Sequence, residues 1–119
     1  MHEAPILVID DDLAIRDTVS EILVFEGYPV VTAANGVDGL RFAEQSWPAL
    51  ILLDMRMPIM DGWAFTHALR ARGATPPIVV MTAAQDARRW AQEIGATGYL
   101  AKPFELHDLL EVVARFYGA

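Results

Sequence analysis

The sequence predicts one α/β domain, residues 1–119, in which a five-stranded parallel β-sheet is covered by helices on both faces. Five short apolar runs alternate with five longer segments whose apolar residues recur every three or four positions, and these are the patterns of buried strands and amphipathic helices. Such alternation is typical of parallel sheets, because a helix supplies the crossover between parallel strands. With 54% hydrophobic and 21% charged residues over 119 positions, the chain can bury a sizeable core.

Three strands are predicted in the first half of the chain, at Ile6–Ile9, Tyr28–Ala33 and Leu50–Leu53. Gly27 and Pro48 end the two helices between them, since glycine favours helix ends and proline cannot continue a helix. The apolar positions expected to face the sheet are Ile15, Val19, Ile22 and Leu23 in the first helix, and Val37, Leu40 and Ala43 in the second.

The second half of the chain is predicted to contain three helices and two further strands. Asp61 is expected to cap the third helix, and Asp12 the first, because a short acidic side chain accepts hydrogen bonds from the first free N–H groups. The helices are predicted at Asp61–Arg72, Gln85–Ile94 and Glu105–Tyr117, the strands at Pro77–Met81 and Tyr99–Ala101, and the last helix is expected to bury Leu106, Leu109, Leu110, Val113 and Phe116.

The predicted strand order is 2-1-3-4-5, the flavodoxin-like arrangement, because right-handed crossovers leave few other orders for five parallel strands. This order makes the first and third strands neighbours, and both end on aspartate, in the DDD run of residues 10–12 and at Asp54. The fourth and fifth strands end near Thr82 and Lys102. Since the carboxyl ends of parallel strands share one edge of the sheet, we expect these polar groups to converge there.

Up to four carboxylates at one edge would repel one another and raise each other's pKa. A hard divalent cation such as Mg²⁺ would offset this repulsion, because it is bound by oxygen ligands. Lys102, the single lysine of the chain, adds an ammonium group, and Thr82 adds a hydroxyl. A carboxylate nucleophile, a metal, an ammonium group and a hydroxyl together favour phosphoryl transfer, whose catalysis is mainly positioning and charge stabilisation.

Charge and composition exclude several classes of function. The formal net charge of −7 disfavours direct binding to nucleic acid or to anionic membranes, and the absence of cysteine excludes thiolate and disulfide chemistry. The N-terminus has no basic segment followed by a long apolar run, and no apolar stretch approaches the roughly 20 residues of a membrane span. We therefore expect a cytoplasmic domain without a signal peptide.

Four motifs stand at the predicted strand ends: ILVIDDD at 6–12, LLDMRMPIMDG at 52–62, MTA at 81–83 and GYLAKPF at 98–104. Together and in this order, they resemble the response-regulator receiver domains of bacterial two-component signalling, including the chemotaxis receivers. The resemblance covers essentially the whole chain. It implies a phosphoacceptor signalling domain that catalyses only its own phosphorylation and dephosphorylation, and that is not an enzyme for external substrates.

The resemblance also implies roles for the acidic residues. Asp54 would receive the phosphoryl group and become an acyl phosphate. Mg²⁺ would be the cofactor, with Asp11 as a direct ligand, Asp10 acting mainly through water, Asp54 itself, and the backbone carbonyl of Arg56 as a further ligand. Asp12, the third acid of the run, is not expected among the principal ligands.

Four further residues match the family pattern. Lys102 would pair with the phosphoryl oxygens, and Thr82 would move to bond the phosphoryl group. Tyr99 would then swing inward, which would remodel the face made by the fourth helix, the fifth strand and the fifth helix. Pro103 occupies a position that commonly follows a cis peptide bond in the family.

The resemblance implies a sensor histidine kinase or a histidine phosphotransfer protein as phosphodonor, docked beside the first helix. A downstream protein partner, or an output domain outside these residues, would receive the signal. The chain ends just past the last predicted helix, so no output domain is expected within it. The sequence leaves open whether it is a stand-alone regulator or part of a longer protein, and whether it forms a homodimer.

The chain departs from the family pattern at three places. Thr82 and Lys102 are 20 positions apart, fewer than in the family, and the shortening is expected in the loop after the fourth strand or in the fourth helix. Arg56 and Ala84 are neither acids nor amides that could orient an attacking water, so we expect slow self-dephosphorylation.

Trp90, which stands beside Arg88 and Arg89 on the fourth helix, is predicted to be an aromatic that faces a partner.

Three other functions compete with this reading. A phosphohydrolase of the haloacid dehalogenase type would require threonine or valine where Ala14 stands. A flavodoxin would need a loop rich in serine and threonine after the first strand, whereas the loop here is acidic and would repel the flavin phosphate. A receiver that serves only as a docking surface would not need the complete set of acidic residues, Thr82 and Lys102.

Overall fold

A computed structural model describes residues 4–73 and 75–119. It contains one parallel sheet with the strand order β2-β1-β3-β4-β5, so the predicted fold class and strand order are confirmed. The strands are β1 (Ile6–Ile9), β2 (Val30–Ala33), β3 (Leu50–Asp54), β4 (Ile78–Ala83) and β5 (Gly98–Lys102), and the helices are α1 (Leu13–Phe25), α2 (Gly36–Gln45), α3 (Gly62–Arg70), α4 (Ala84–Ile94) and α5 (Leu106–Phe116).

The sheet is apolar on both faces, and each face supports its own core. Leu7 and Ile9 of β1 pack with α2, α3 and α4 on one face, whereas Ile6 and Val8 pack with α1 and α5 on the other. This alternation follows from the two-residue period of a strand. Residues of both faces are buried, so the inner strands read as continuous apolar runs and not as alternating ones.

The helix ends follow the expected capping chemistry. The Asp12 side chain accepts hydrogen bonds from the N–H groups of Ala14 and Ile15, and the Asp61 side chain accepts one from Ala64; both predicted caps are therefore confirmed. At the C-terminal end of α4, Gly95 adopts the left-handed conformation with φ of 64°, which glycine tolerates best.

Helix α4 is held differently at its two ends. β4 ends at Ala83 and α4 begins at Ala84, with no loop residue between them and no side-chain cap at the N-terminus. At the other end, the guanidinium of Arg70 donates hydrogen bonds to the carbonyl of Ile94 and, over 3.0 Å, to that of Gly95. The sequence placed the shortening of this segment in the loop or in the helix, and the structure shows a direct junction.

Two predicted core positions and several element ends were wrong. Leu106 is 56% exposed, because it is the first residue of α5 and lies beyond the edge of the core, and Val37 is 36% exposed near the start of α2. β2 begins at Val30 and not at Tyr28, and α3 begins after its cap Asp61. Strands β4 and β5 are longer than predicted, reaching Ala83 and Lys102.

The loop between β3 and α3 contains a strained turn. Ile59 has a φ of 66°, and the N–H of Met60 donates to the carbonyl of Pro58 over 3.1 Å across it. This is a three-residue γ-turn whose left-handed central residue is β-branched, which is a genuine outlier. The Ile59 side chain is 72% exposed, so no core packing offsets the strain.

Replacing Ile59 with asparagine should stabilise the domain. Asparagine tolerates the left-handed region, so Ile59→Asn is expected to raise the free energy of unfolding by about 1 kcal/mol, measured by urea denaturation. Ile59→Val is the matched control, since it keeps the β-branch and should give no gain. An equal change in both variants would contradict the assignment of strain to this residue.

Candidate functional site

The pairing of β1 with β3 sets two aspartates side by side at the carboxyl edge of the sheet. Ile9 pairs with Leu53 in the parallel register, so Asp10 and Asp54 are the next residues on adjacent strands. Asp10 has no exposed surface and Asp54 is 6% exposed. The backbone therefore fixes both carboxylates in a largely dehydrated position.

Asp11 completes an acidic cluster with these two residues. One carboxylate oxygen from each of Asp10, Asp11 and Asp54 lies within 4.8 Å of the others, whereas Asp11 itself is exposed to solvent. The sequence predicted that these three side chains would converge, and the structure brings them together. Among the described residues, this is the group of three acidic or imidazole side chains whose geometry suits a metal ion.

Lys102 balances part of the negative charge. Its ammonium lies 2.7 Å from Oδ2 of Asp10 and 3.7 Å from Oδ1 of Asp54. The alignment of β4 with β5 carries it there, because Ala83 pairs with Lys102 at the end of both strands. The Lys102–Pro103 bond is cis, as the family pattern predicted.

Asp10 is held by contacts that the sequence analysis did not find. Its Oδ1 accepts a hydrogen bond from the N–H of Asp12 over 3.0 Å, while Oδ2 is bound to Lys102. The guanidinium of Arg16, one turn into α1, donates to the backbone carbonyl of Asp10 over 2.8 Å. Both carboxylate oxygens thus have donors, which is how a fully buried carboxylate is normally satisfied.

The environment of Asp54 strongly disfavours its charged form. Burial, and then the neighbouring Asp10 carboxylate, raise the pKa of Asp54 from 3.8 to about 7; the Lys102 ammonium and the Arg56 N–H act in the opposite direction, and Asp11 adds a smaller increase. The N–H of Arg56 contacts Oδ1 of Asp54 over 3.5 Å. A further cation beside these carboxylates would favour the charged form.

Thr82 lies on β4, and Tyr99 lies on the adjacent strand β5, which also carries Lys102. Thr82 is 4% exposed near the end of β4 and pairs with Ala101 of β5. Tyr99 is 45% exposed on β5. The structure thus places both residues on adjacent strands at this side of the sheet.

The prediction that Trp90 faces a partner was wrong. Its side chain is only 6% exposed, because the ring of Trp63 from α3 packs against it with centroids 4.9 Å apart. The guanidinium of Arg56 lies over the same ring, 5.1 Å from its centroid. Sequence reasoning missed this contact because α3 and α4 meet only in the folded chain.

The chain also matches a known protein family over most of its length. The family model of the response regulator receiver domain matches residues 6–114. The chain belongs to this family. It is thus the receiver domain of a two-component response regulator, and the resemblance proposed from the four motifs is confirmed.

Curated relatives of this receiver domain are longer than the chain itself. Response regulator MprA of Mycobacterium sp. (strain KMS) is 40% identical over 107 residues, which are 88% of this chain and 46% of the relative. MprA of Mycobacterium leprae is 39% identical over the same length, with 47% of the relative covered. The chain therefore spans about half the length of the curated relatives it matches.

Solved structures share the whole fold of this receiver domain. Chemotaxis response regulator CheY4 of Vibrio cholerae has a TM-score of 0.85 at 35% identity, covering 95% of this chain and 98% of that one. A putative response regulator from Chloroflexus aurantiacus has a TM-score of 0.90 at 31% identity, with 98% of both chains covered. The receiver domain of NtrX from Brucella abortus has a TM-score of 0.86 at 29% identity, covering 94% and 97%.

Family membership carries several general properties. Receiver domains act with histidine kinases in two-component signalling, generally bind Mg²⁺ at an aspartate cluster, and are not classical enzymes. Membership decides against the phosphohydrolase and flavodoxin alternatives. In the part of the chain that the structure describes, no helix combines the length and the apolar character needed to cross a bilayer.

Removing the Asp54 charge should stabilise the metal-free domain in a pH-dependent way. The pKa of Asp54 is raised to about 7 in the folded state. The free energy of unfolding of the wild-type domain therefore falls as pH rises from the unfolded-state pKa near 4 through the folded-state pKa near 7, and this contribution is fully present below pH 4. In EDTA, Asp54→Asn should therefore be more stable by about 2–4 kcal/mol at pH 8 and nearly equal at pH 4. Urea unfolding at both pH values measures this, and a difference independent of pH would contradict it.

Proposed function

We propose that this receiver domain accepts a phosphoryl group on Asp54 in a Mg²⁺-dependent transfer from a phosphohistidine of its partner. The observation that supports this most directly is the convergence of Asp10, Asp11 and Asp54 within 4.8 Å, together with the Lys102 ammonium 3.7 Å from Oδ1 of Asp54. Such an arrangement aims fixed charges at a developing phosphoryl group.

The donor set fits a magnesium ion. Three carboxylates are hard oxygen ligands. Burial, and then the Asp10 carboxylate, raise the pKa of Asp54, and the single ammonium of Lys102 faces three carboxylates. Asp11, which is exposed, would bind the ion directly, Asp10 mainly through water, and the Arg56 carbonyl would add a backbone ligand. When bound, the ion would keep the carboxylates ionised and stabilise charge on the phosphoryl oxygens.

The transfer itself requires an ionised Asp54. Its carboxylate oxygen attacks the phosphorus in line, the new O–P bond forms as the N–P bond of the phosphohistidine breaks, and the electron pair of that bond remains on the imidazole nitrogen. Lys102 would then hold the phosphoryl oxygens. No proton needs to leave Asp54, so this chain supplies no general base.

The phosphodonor is expected to dock beside α1. A shallow groove of about 400 Å³ opens next to Lys102, and its lining is mostly apolar. Leu13, at the start of α1, is also 59% exposed. A helical histidine kinase or phosphotransfer domain would bury this surface while presenting its phosphohistidine to Asp54. The groove is lined by Ile15, Ala83, Lys102, Pro103 and Phe104.

Phosphorylation would then shift the conformation of the α4–β5–α5 face. Thr82 would bond the phosphoryl group, and Tyr99, now 45% exposed, would move inward, so that two populations of the face exchange. A cytoplasmic protein partner, or an output domain of a longer chain, would read this change, and a homodimer through the face is compatible with it. The net charge of −7 argues against direct contact with nucleic acid.

Incubation with acetyl phosphate should add one phosphoryl group to the chain. The mass increase is expected only with Mg²⁺ present, and should be lost in EDTA and in Asp54→Asn, as measured by intact mass spectrometry. Lys102→Met should slow the gain about 100-fold, by analogy with removal of one charge-stabilising donor.

Two controls define the outcome of that experiment. Glu44→Gln removes an exposed carboxylate remote from the cluster, where it pairs with Arg72, and should be phosphorylated normally. A mass gain that persists in Asp54→Asn would move the phosphoacceptor to another residue. No gain with either acetyl phosphate or a histidine kinase would favour a receiver that acts only by docking.

The phosphorylated domain should lose its phosphoryl group slowly. Neither Arg56 nor Ala84 can orient a water molecule for attack, so the acyl phosphate should persist for minutes after removal of the donor. Arg56→Asn places an amide near Asp54 and should shorten the lifetime by about tenfold or more. The measurement is the decay of the phosphorylated mass, and loss within seconds in the wild-type protein would contradict the expectation.

A further inference from the structure

Helix α4 is held to the phosphoacceptor side of the molecule by a cluster of aromatic and charged side chains. Trp90 of α4 packs edge-on against Trp63 of α3, with ring centroids 4.9 Å apart. The indole N–H of Trp63 also donates to Glu93 of α4 over 3.1 Å. Above the Trp90 ring lies the guanidinium of Arg56, 5.1 Å from the centroid, a distance typical of a cation–π contact.

Arg56 belongs to both the phosphoacceptor loop and this cluster. Its backbone N–H lies 3.5 Å from Oδ1 of Asp54, while its guanidinium reaches Trp90. The residue is exposed, and among residues 4–73 and 75–119 its side chain makes no salt bridge. One residue therefore contacts the Asp54 carboxylate through its backbone N–H and the buried Trp90 ring of α4 through its guanidinium.

A phosphoryl group on Asp54 would compete for this cation. The acyl phosphate carries about two negative charges where the carboxylate carried one, and it adds three acceptor oxygens. Guanidinium groups bind such oxygens with charge-assisted, often bidentate hydrogen bonds. These are stronger than a cation–π contact made by an exposed guanidinium such as that of Arg56. Since the Arg56 backbone already touches Asp54, the side chain needs only rotations about its own bonds to change partners.

We propose that Arg56 couples the state of Asp54 to helix α4. In the unmodified domain Arg56 packs on Trp90 and helps to hold α4. After phosphorylation its guanidinium leaves Trp90 for the phosphoryl oxygens, and α4 is held less tightly. This inference rests on the proposed phosphorylation of Asp54. Because coupling between two sites is reciprocal, a partner that fixes Arg56 on Trp90 would disfavour the phosphorylated state.

Amide hydrogen exchange of α4 tests this coupling. In the wild-type protein, phosphorylation with acetyl phosphate and Mg²⁺ should speed exchange in Ala84–Ile94 by about 2- to 5-fold, the factor expected for losing one cation–π contact. Arg56→Met should show faster exchange already without phosphate, and phosphorylation should then add little. Intact mass of each sample gives the phosphorylated fraction, so that phosphorylation itself is scored separately.

Arg89→Met is the matched control. Arg89 also lies over Trp90, 5.8 Å from the ring centroid, but it belongs to α4 and is bound to Asp86 over 2.6 Å, so it moves with the helix. It should keep the wild-type response to phosphorylation, and Arg56→Lys, which retains a cation, should recover part of it.

Three outcomes would overturn the inference. These are an undiminished response to phosphorylation in Arg56→Met, an equal loss of response in Arg89→Met, and identical α4 exchange in the unmodified wild-type and Arg56→Met proteins. The last comparison needs no phosphate, so it decides whether Arg56 holds α4 even if Asp54 accepts no phosphoryl group, a failure that the mass measurement would assign to the proposed function.

Discussion

The burial of Asp10 beside Asp54 is the constraint on which the rest of the site depends. A carboxylate without exposed surface is expensive unless it is paired and hydrogen-bonded, and here the register of β1 with β3 places a second, nearly buried carboxylate next to it. Lys102 and the Asp12 N–H satisfy the Asp10 carboxylate, and the Arg16 guanidinium donates to the Asp10 backbone carbonyl. The Lys102 ammonium lies farther from Asp54, at 3.7 Å, and offsets less of its charge.

The carboxylate that burial destabilises is also the one proposed to accept the phosphoryl group. Burial and the Asp10 carboxylate raise the pKa of Asp54 to about 7, and an additional positive charge beside it would favour the ionised form. The carboxylates lie at the edge of the sheet where parallel strands present their carboxyl ends, and apolar cores cover both faces of that sheet. The repulsion between these carboxylates therefore lies at an edge of the sheet where a bound cation would reduce it.

The sequence predicted the sheet and its acidic edge well, because both depend on local and periodic signals. Apolar runs that end in aspartate define β1 and β3, and a single lysine before a proline marks the end of β5. The wrong assignments depended on tertiary contacts. Trp90 was predicted to face a partner because it stands beside Arg88 and Arg89. In the fold it belongs to the core on one face of the sheet, with the Trp63 ring and the Arg56 guanidinium against it. Leu106 fits the apolar pattern of the helix, yet it is exposed at the first residue of α5, whereas Leu109 three residues later is buried.

The unequal attachment of α4 has a mechanical consequence. Arg70 fastens the last carbonyls of the helix to α3, whereas its first turn has no side-chain cap and continues straight from β4. Because Ala83 pairs with Lys102 in the sheet and no loop residue separates it from Ala84, a displacement at the end of β4 would pass directly to the first turn of α4. Thr82 lies two residues before that turn, so a shift of its backbone would tilt the helix about the end that Arg70 holds.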